Sequence, residues 1–103
     1  MIESEFNRLA DAALTRIETA IDQSGGDVEC NRSGNVLEIE FDNGQKAIIN
    51  RHDVNQEIWV AARSGGFHYA WLDGAWRSQR DQSELFNKLV ELFAGQGEEL
   101  VLD

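Results

Sequence analysis

Proline is absent from this chain of 103 residues, cysteine and methionine occur once each, and basic side chains are few, nine against nineteen acids. With no proline and only nine glycines, the chain carries neither a collagen-like repeat nor a proline-rich disordered tract. The single Cys30 excludes an internal disulfide. Spacings of the Cys-x-x-Cys and His-Glu-x-x-His kind are missing, which removes the usual zinc sites. No apolar run approaches the roughly 20 residues of a membrane span, so no membrane partner is expected. The opening Met1-Ile2-Glu3-Ser4-Glu5 lacks the basic and apolar regions of a secretion signal, and a cytoplasmic location is expected. The shortage of bases leaves a formal charge of −10 and a pI near 4.5. Such a surface repels phosphate backbones, so nucleic acid is not an expected partner, whereas cations and basic protein surfaces are.

What remains is an ordinary globular composition, 42% hydrophobic and 27% charged. A chain of this length is too short for two cores, so one domain over residues 1–103 is expected. From Glu3 to Gln23 the apolar residues Phe6, Leu9, Ala10, Ala13, Leu14, Ile17, Ala20 and Ile21 recur at three- and four-residue steps, the stripe of an amphipathic helix. Ser24-Gly25-Gly26 ends it. After the short segment Asp27–Cys30, the run Val36–Phe41 alternates with period two and meets Asn43-Gly44, which predicts a hairpin to Lys46–Asn50 through a two-residue turn. That register pairs Phe41 with Lys46, Ile39 with Ile48 and Glu38 with Ile49, and puts Ile48 on the core face.

A second hairpin joins Glu57–Arg63 to Phe67–Leu72 through Ser64-Gly65, pairing Ile58 with Trp71 and Val60 with Tyr69. The opposite face then carries Trp59 and His68, with Ile49, Ala61 and Ala70 expected beside the indole. Asp73-Gly74 turns into Ala75–Arg77. Helical spacing returns over Gln82–Ala94, with Asp81 and Glu84 as a capping-box pair and Gly95 and Gly97 as the stop. The apolar tail Leu100–Leu102 is expected to pack along the helices. The order helix, sheet, helix predicts an α+β two-layer sandwich, with two helices packed on one face of an antiparallel sheet of about six strands.

The charge is concentrated in two places. Seven acids and two bases leave residues 1–29 at −5, and six acids and one base leave residues 81–103 at −5. On the first helix, at about 100° per residue, Asp11, Thr15, Glu18 and Asp22 fall within roughly 60° of one another, opposite the apolar stripe. Carboxylate oxygens suit hard cations, so such a ridge binds Fe²⁺, Fe³⁺, Mn²⁺, Ca²⁺ or Mg²⁺ loosely, or else only solvates a helix face. Trp59 is the second candidate: an outward indole exposes apolar area that a partner would bury, unless a long neighbour such as Arg63 covers it. His52-Asp53 is placed in a loop after the third strand. With His68 it would serve a hydrolytic pair, but no Gly-x-Ser-x-Gly elbow is present, and neither glycine-rich segment has the Lys-Ser/Thr of a phosphate loop.

Several short segments together carry a family resemblance: Ser4-Glu5-Phe6 with Leu9-Ala10-Asp11, Phe41-Asp42-Asn43-Gly44, Ile48-Ile49-Asn50-Arg51, Gln56-Glu57-Ile58-Trp59-Val60-Ala61 and Gly65-Gly66-Phe67-His68-Tyr69. From end to end the sequence resembles the bacterial frataxin family, whose fold is the sandwich read above. The resemblance implies an iron-binding protein of iron–sulfur cluster assembly. Such a protein contacts the cysteine desulfurase and modulates cluster formation on the scaffold protein. It implies no enzymatic activity, and a monomer with iron-promoted oligomers. It maps iron onto Glu18, Asp22, Asp27 and Glu29, with Asp11 and Glu3 nearby, and partner contacts onto Trp59, Asn50, Arg51 and His68 together with Glu18 and Asp22. Relatives often carry doubled acids where Glu18-Thr19 and Asp22-Gln23 keep one each, which implies weaker iron binding here. Two other readings compete with this one. One is a metal-independent acidic protein-binding module, and the other is a small enzyme using His52, Asp53 or His68.

Overall fold

The computed structural model describes residues 1–102. Its elements in chain order are α1 (Glu3–Ser24), β1 (Glu29–Ser33), β2 (Val36–Glu40), β3 (Lys46–His52), β4 (Glu57–Ala62), β5 (Gly65–Leu72), β6 (Ala75–Arg77) and α2 (Leu85–Gly95). The 22 residues of α1 bury Phe6, Ala10, Ala13, Leu14, Ile17, Ala20 and Ile21, the stripe that the spacing predicts. The helix stops at Gly25, whose φ of 70° is left-handed and costs glycine nothing.

The six strands lie in the order β1-β2-β3-β4-β5-β6, each antiparallel to the next. Leu37, Ile39, Ala47, Ile49, Ile58, Val60 and Tyr69 form one cluster with the buried side of α1 and with Leu85, Leu89 and Phe93 of α2. Both helices therefore cover the same sheet face, as expected for the two-layer sandwich. Each large apolar side chain sealed in this layer contributes about 1.5–3 kcal/mol.

Two hairpins differ in register from the sequence expectation, with opposite consequences. Between β2 and β3 the loop is Asp42-Asn43-Gly44. Phe41 N–H donates to Gln45 O at 2.8 Å, Gly44 N–H donates to Phe41 O at 2.9 Å, and Gly44 is left-handed at φ 86°. This is a three-residue loop rather than the predicted two-residue turn. The odd slip pairs Leu37 with Ile49 and Glu38 with Ile48, and so exchanges faces. Ile49 is fully buried and Ile48 is 37% exposed, the reverse of the expectation for Ile48. Between β4 and β5 the connection is Arg63-Ser64, which pairs Ile58 with Tyr69 and Val60 with Phe67. That slip is two residues, so every face is kept and Trp59 still points outward.

The start of α2 also differs from the expectation. Gln82 has φ 64°, which no helical residue adopts, so the helix begins at Leu85 rather than Gln82. Glu84 is its cap, accepting from Phe86 N–H and Asn87 N–H, both at 3.0 Å. Asp81 instead serves its own turn, accepting from Ser83 N–H at 3.0 Å and Ser83 Oγ–H at 2.7 Å. The tail docks as predicted, with Leu100 buried and Leu102 packed against the core.

Candidate functional site

The polar ridge of α1 forms as the helical spacing predicts, but it is not bare. Arg32 of β1 faces inward in register with Leu37, and its guanidinium reaches over the edge of the sheet onto the helix. Nη1 donates to Glu18 Oε1 at 3.0 Å and to Thr15 Oγ at 3.3 Å, while Nη2 pairs with Asp11 Oδ1. One fork thus spans three successive ridge positions. Against the desolvation that lowers it, the hydrogen bonds and charges of Glu18 and Asp11 hold the Arg32 pKa above its usual value.

The other expected metal ligands lie elsewhere along the edge. Asp22 follows Glu18 by one turn and lines a shallow depression with Glu18 and Cys30. Asp27 and Glu29 line the next depression, together with Glu40 and Asp42 of the β2 end, and Glu29 stands opposite Glu40 in register. The last turn of α1 carries no base, so the negative end of the helix dipole adds to this field. Sequence reasoning missed Glu40 and Asp42, because only the β1–β2 pairing brings them to Asp27 and Glu29.

Glu3 does not belong to the group. It lies in the first turn of α1, about 22 Å along the axis from Glu18 at 1.5 Å per residue. Asp11 joins Glu18 only through Arg32. Among the described residues, no three His, Cys, Asp or Glu side chains converge as a group able to hold a metal ion. The donor chemistry fits hard cations, and the geometry fits loose association with an exposed surface rather than one closed coordination sphere. Cys30 lies half-buried beside this edge. Burial, with Glu18 adding to it, pushes its thiol up from 9.0 to about 11.

The second feature is on the open sheet face. Trp59 is partly buried between two imidazoles. His52 stacks on one side, centroids 4.0 Å apart and planes 6° apart, and His68 on the other, at 4.2 Å and 8°. The indole Nε1–H donates to Glu57 Oε1 at 2.8 Å. Its in-register neighbours are Asn50 of β3 and His68 of β5. The expected Ile49 is on the opposite, buried face, and it is histidine rather than Arg63 that covers the ring.

His52 is the last residue of β3, not a loop residue, and its Nδ1 accepts from Asn55 N–H at 3.4 Å. Asp53 turns away from it, accepting from Arg51 Nε–H at 3.2 Å and Asn35 Nδ2–H at 3.3 Å, so the two do not form a hydrolytic pair. Arg51 does not share the Trp59 surface. It faces the helix side in register with Ile58, its guanidinium lies 5.6 Å from the Phe6 ring centroid and bonds Asn7, and its side chain is 12% exposed.

A family model described as a frataxin-like domain matches residues 1–99. The iron–sulfur cluster assembly protein CyaY of Dechloromonas aromatica is 49% identical over 104 residues, covering 99% of this chain and 99% of the relative. The solved frataxin of Psychromonas ingrahamii superposes with a TM-score of 0.90 at 36% identity, over 97% of this chain and 96% of that one. A trimeric frataxin of the yeast Saccharomyces cerevisiae, complexed with ferrous iron, gives 0.70 at 25% identity, over 89% and 84%.

Proposed function

Because the chain belongs to the frataxin-like family of bacterial CyaY proteins, we propose that it is an iron-binding regulator of iron–sulfur cluster assembly. It binds the cysteine desulfurase and modulates cluster formation on the scaffold protein, without catalysing a reaction itself. Ferrous or ferric iron, and other divalent cations more loosely, associate with the open end of the acidic edge. The protein works as a monomer, and iron load promotes oligomers.

One observation carries this reading. Asp22, Asp27 and Glu29 are exposed and have no Lys, Arg or His within 4 Å among the described residues; Asp27 and Glu29 meet Glu40 and Asp42, and the last turn of α1, which carries Asp22, holds no base. Carboxylates in water attract a divalent cation weakly one by one, but their fields add, and the same sum steers a basic protein surface. Trp59 supplies the apolar element of the contact, with Asn50 and His68 beside it. Reversing Asp22 and Asp27 together to Lys should weaken both anaerobic Fe²⁺ binding and desulfurase binding by about tenfold or more. A variant that titrates both ligands like the wild type would end the proposal.

The metal-independent module is the second reading, and the pairing of Arg32 with Asp11 and Glu18 favours it, since two of the three ridge carboxylates already share a counter-charge. Under that reading the desulfurase binds equally well with and without Fe²⁺, and no amide between residues 11 and 29 broadens when iron is added.

A further inference from the structure

Arg32 is the single base between Arg16 and Lys46 in the sequence, and the fold delivers it to the middle of the acidic ridge. We propose that Arg32 is a resident counter-ion that closes the Asp11–Thr15–Glu18 stretch to metal cations and basic side chains, confining their binding to the Asp22–Asp27–Glu29 end. The proposal rests on the reading that this edge recruits positive species.

Three features support it. The guanidinium is anchored from the fold side: its backbone is paired in β1 and its side chain is only 22% exposed, so it competes with dissolved cations without the entropic cost of arriving from solution. Its fork fits the spacing of the ridge, with separate nitrogens for Glu18 and Asp11 and Thr15 held by the first of them. Arginine also stays protonated at any physiological pH, so the closure cannot be relieved by titration. An incoming divalent ion must either share carboxylates whose charge is already halved or expel a guanidinium that remains tethered a few ångströms away as a like charge. Among the described residues, no base pairs with Asp22, Asp27 or Glu29 in this way.

The test is a titration with Mn²⁺ alone, read as paramagnetic broadening of backbone amides. In the wild type, broadening should centre on residues 22–29 and spare 11–18. In Arg32→Gln it should spread to Asp11, Thr15 and Glu18, and the overall Mn²⁺ affinity should rise about threefold to tenfold, the worth of two surface ion pairs removed. Arg32→Lys keeps the charge but loses the fork, and should fall between the two. Broadening that already covers 11–18 in the wild type, or that does not spread in Arg32→Gln, overturns the inference. If the wild-type amides at 22–29 stay sharp, the metal reading fails by itself, and the same wild-type against Arg32→Gln comparison with a tetralysine peptide decides the role of Arg32. Should Arg32→Gln not fold, the Arg32 Nε–H resonance of the wild type gives the answer: it holds its position while Mg²⁺ is added, whereas a shift as the cation binds would refute the closure.

Discussion

His52 lies flat against Trp59 although the two stand diagonally across the β3–β4 pair, His52 opposite Glu57 and Trp59 opposite Asn50. The right-handed twist of adjacent strands brings such diagonal neighbours within reach of each other. The indole is therefore held in place before any partner arrives, with its Nε1–H tied to Glu57 and an imidazole on each face. Preorganisation of this kind lowers the ordering cost of an interface anchor.

Trp59→Ala should remove both stacks and destabilise the fold by about 1–3 kcal/mol, and His52→Ala should remove one and cost about 0.5–1.5 kcal/mol. Urea unfolding of the two single variants and the double variant measures this directly. Additive losses would mean that the rings touch without interacting.

Cys30 should be slow to alkylate. With its thiol raised to about 11 by burial and by Glu18, its thiolate at pH 8 is about 100-fold scarcer than that of a cysteine titrating at 9.0. The native state favours the protonated thiol, so this contribution to stability is complete below 9.0 and is lost as the pH rises from 9.0 to about 11. An iodoacetamide rate that levels off near pH 9 would contradict the assignment.

Glu84→Ala should cost about 1 kcal/mol, because two amide donors at the start of α2 lose their acceptor. Asp81→Ala leaves those bonds intact and frees only the Ser83 turn. Chemical denaturation that ranks Asp81→Ala as the more damaging of the two would move the cap back to Asp81.

The helical stripe of α1, the six-strand meander and the side of the sheet that bears Trp59 were all legible, because they depend on periodicity and survive an even shift in register. The face of Ile48 was not legible. Asn-Gly suits both a two-residue turn and the three-residue loop with left-handed Gly44, and these differ by an odd step. The start of α2 was misplaced because Asp81 with Glu84 three residues on reads as a capping box, whereas the left-handed Gln82 breaks the helix between them and leaves Glu84 as the cap. In the candidate site, Asp11, Glu18, Asp22 and Trp59 were found from residue type and spacing, and Asp27 and Glu29 through the family resemblance. Arg32 on the ridge, the imidazoles on Trp59 and the retreat of Arg51 to Phe6 were not, because each depends on which strand ends up beside which helix.

The meander has a consequence for how the chain assembles. Every strand pairs with its sequence neighbour, so the sheet can grow hairpin by hairpin from nearby residues. The first helix has no such local support: Phe6 meets Trp76 of the last strand edge-on at 6.0 Å, and Arg32 of the first strand grips Asp11 and Glu18. Phe6 precedes Trp76 by 70 residues, so this contact of α1 closes a far longer loop than any hairpin of the sheet does and carries the larger entropic cost.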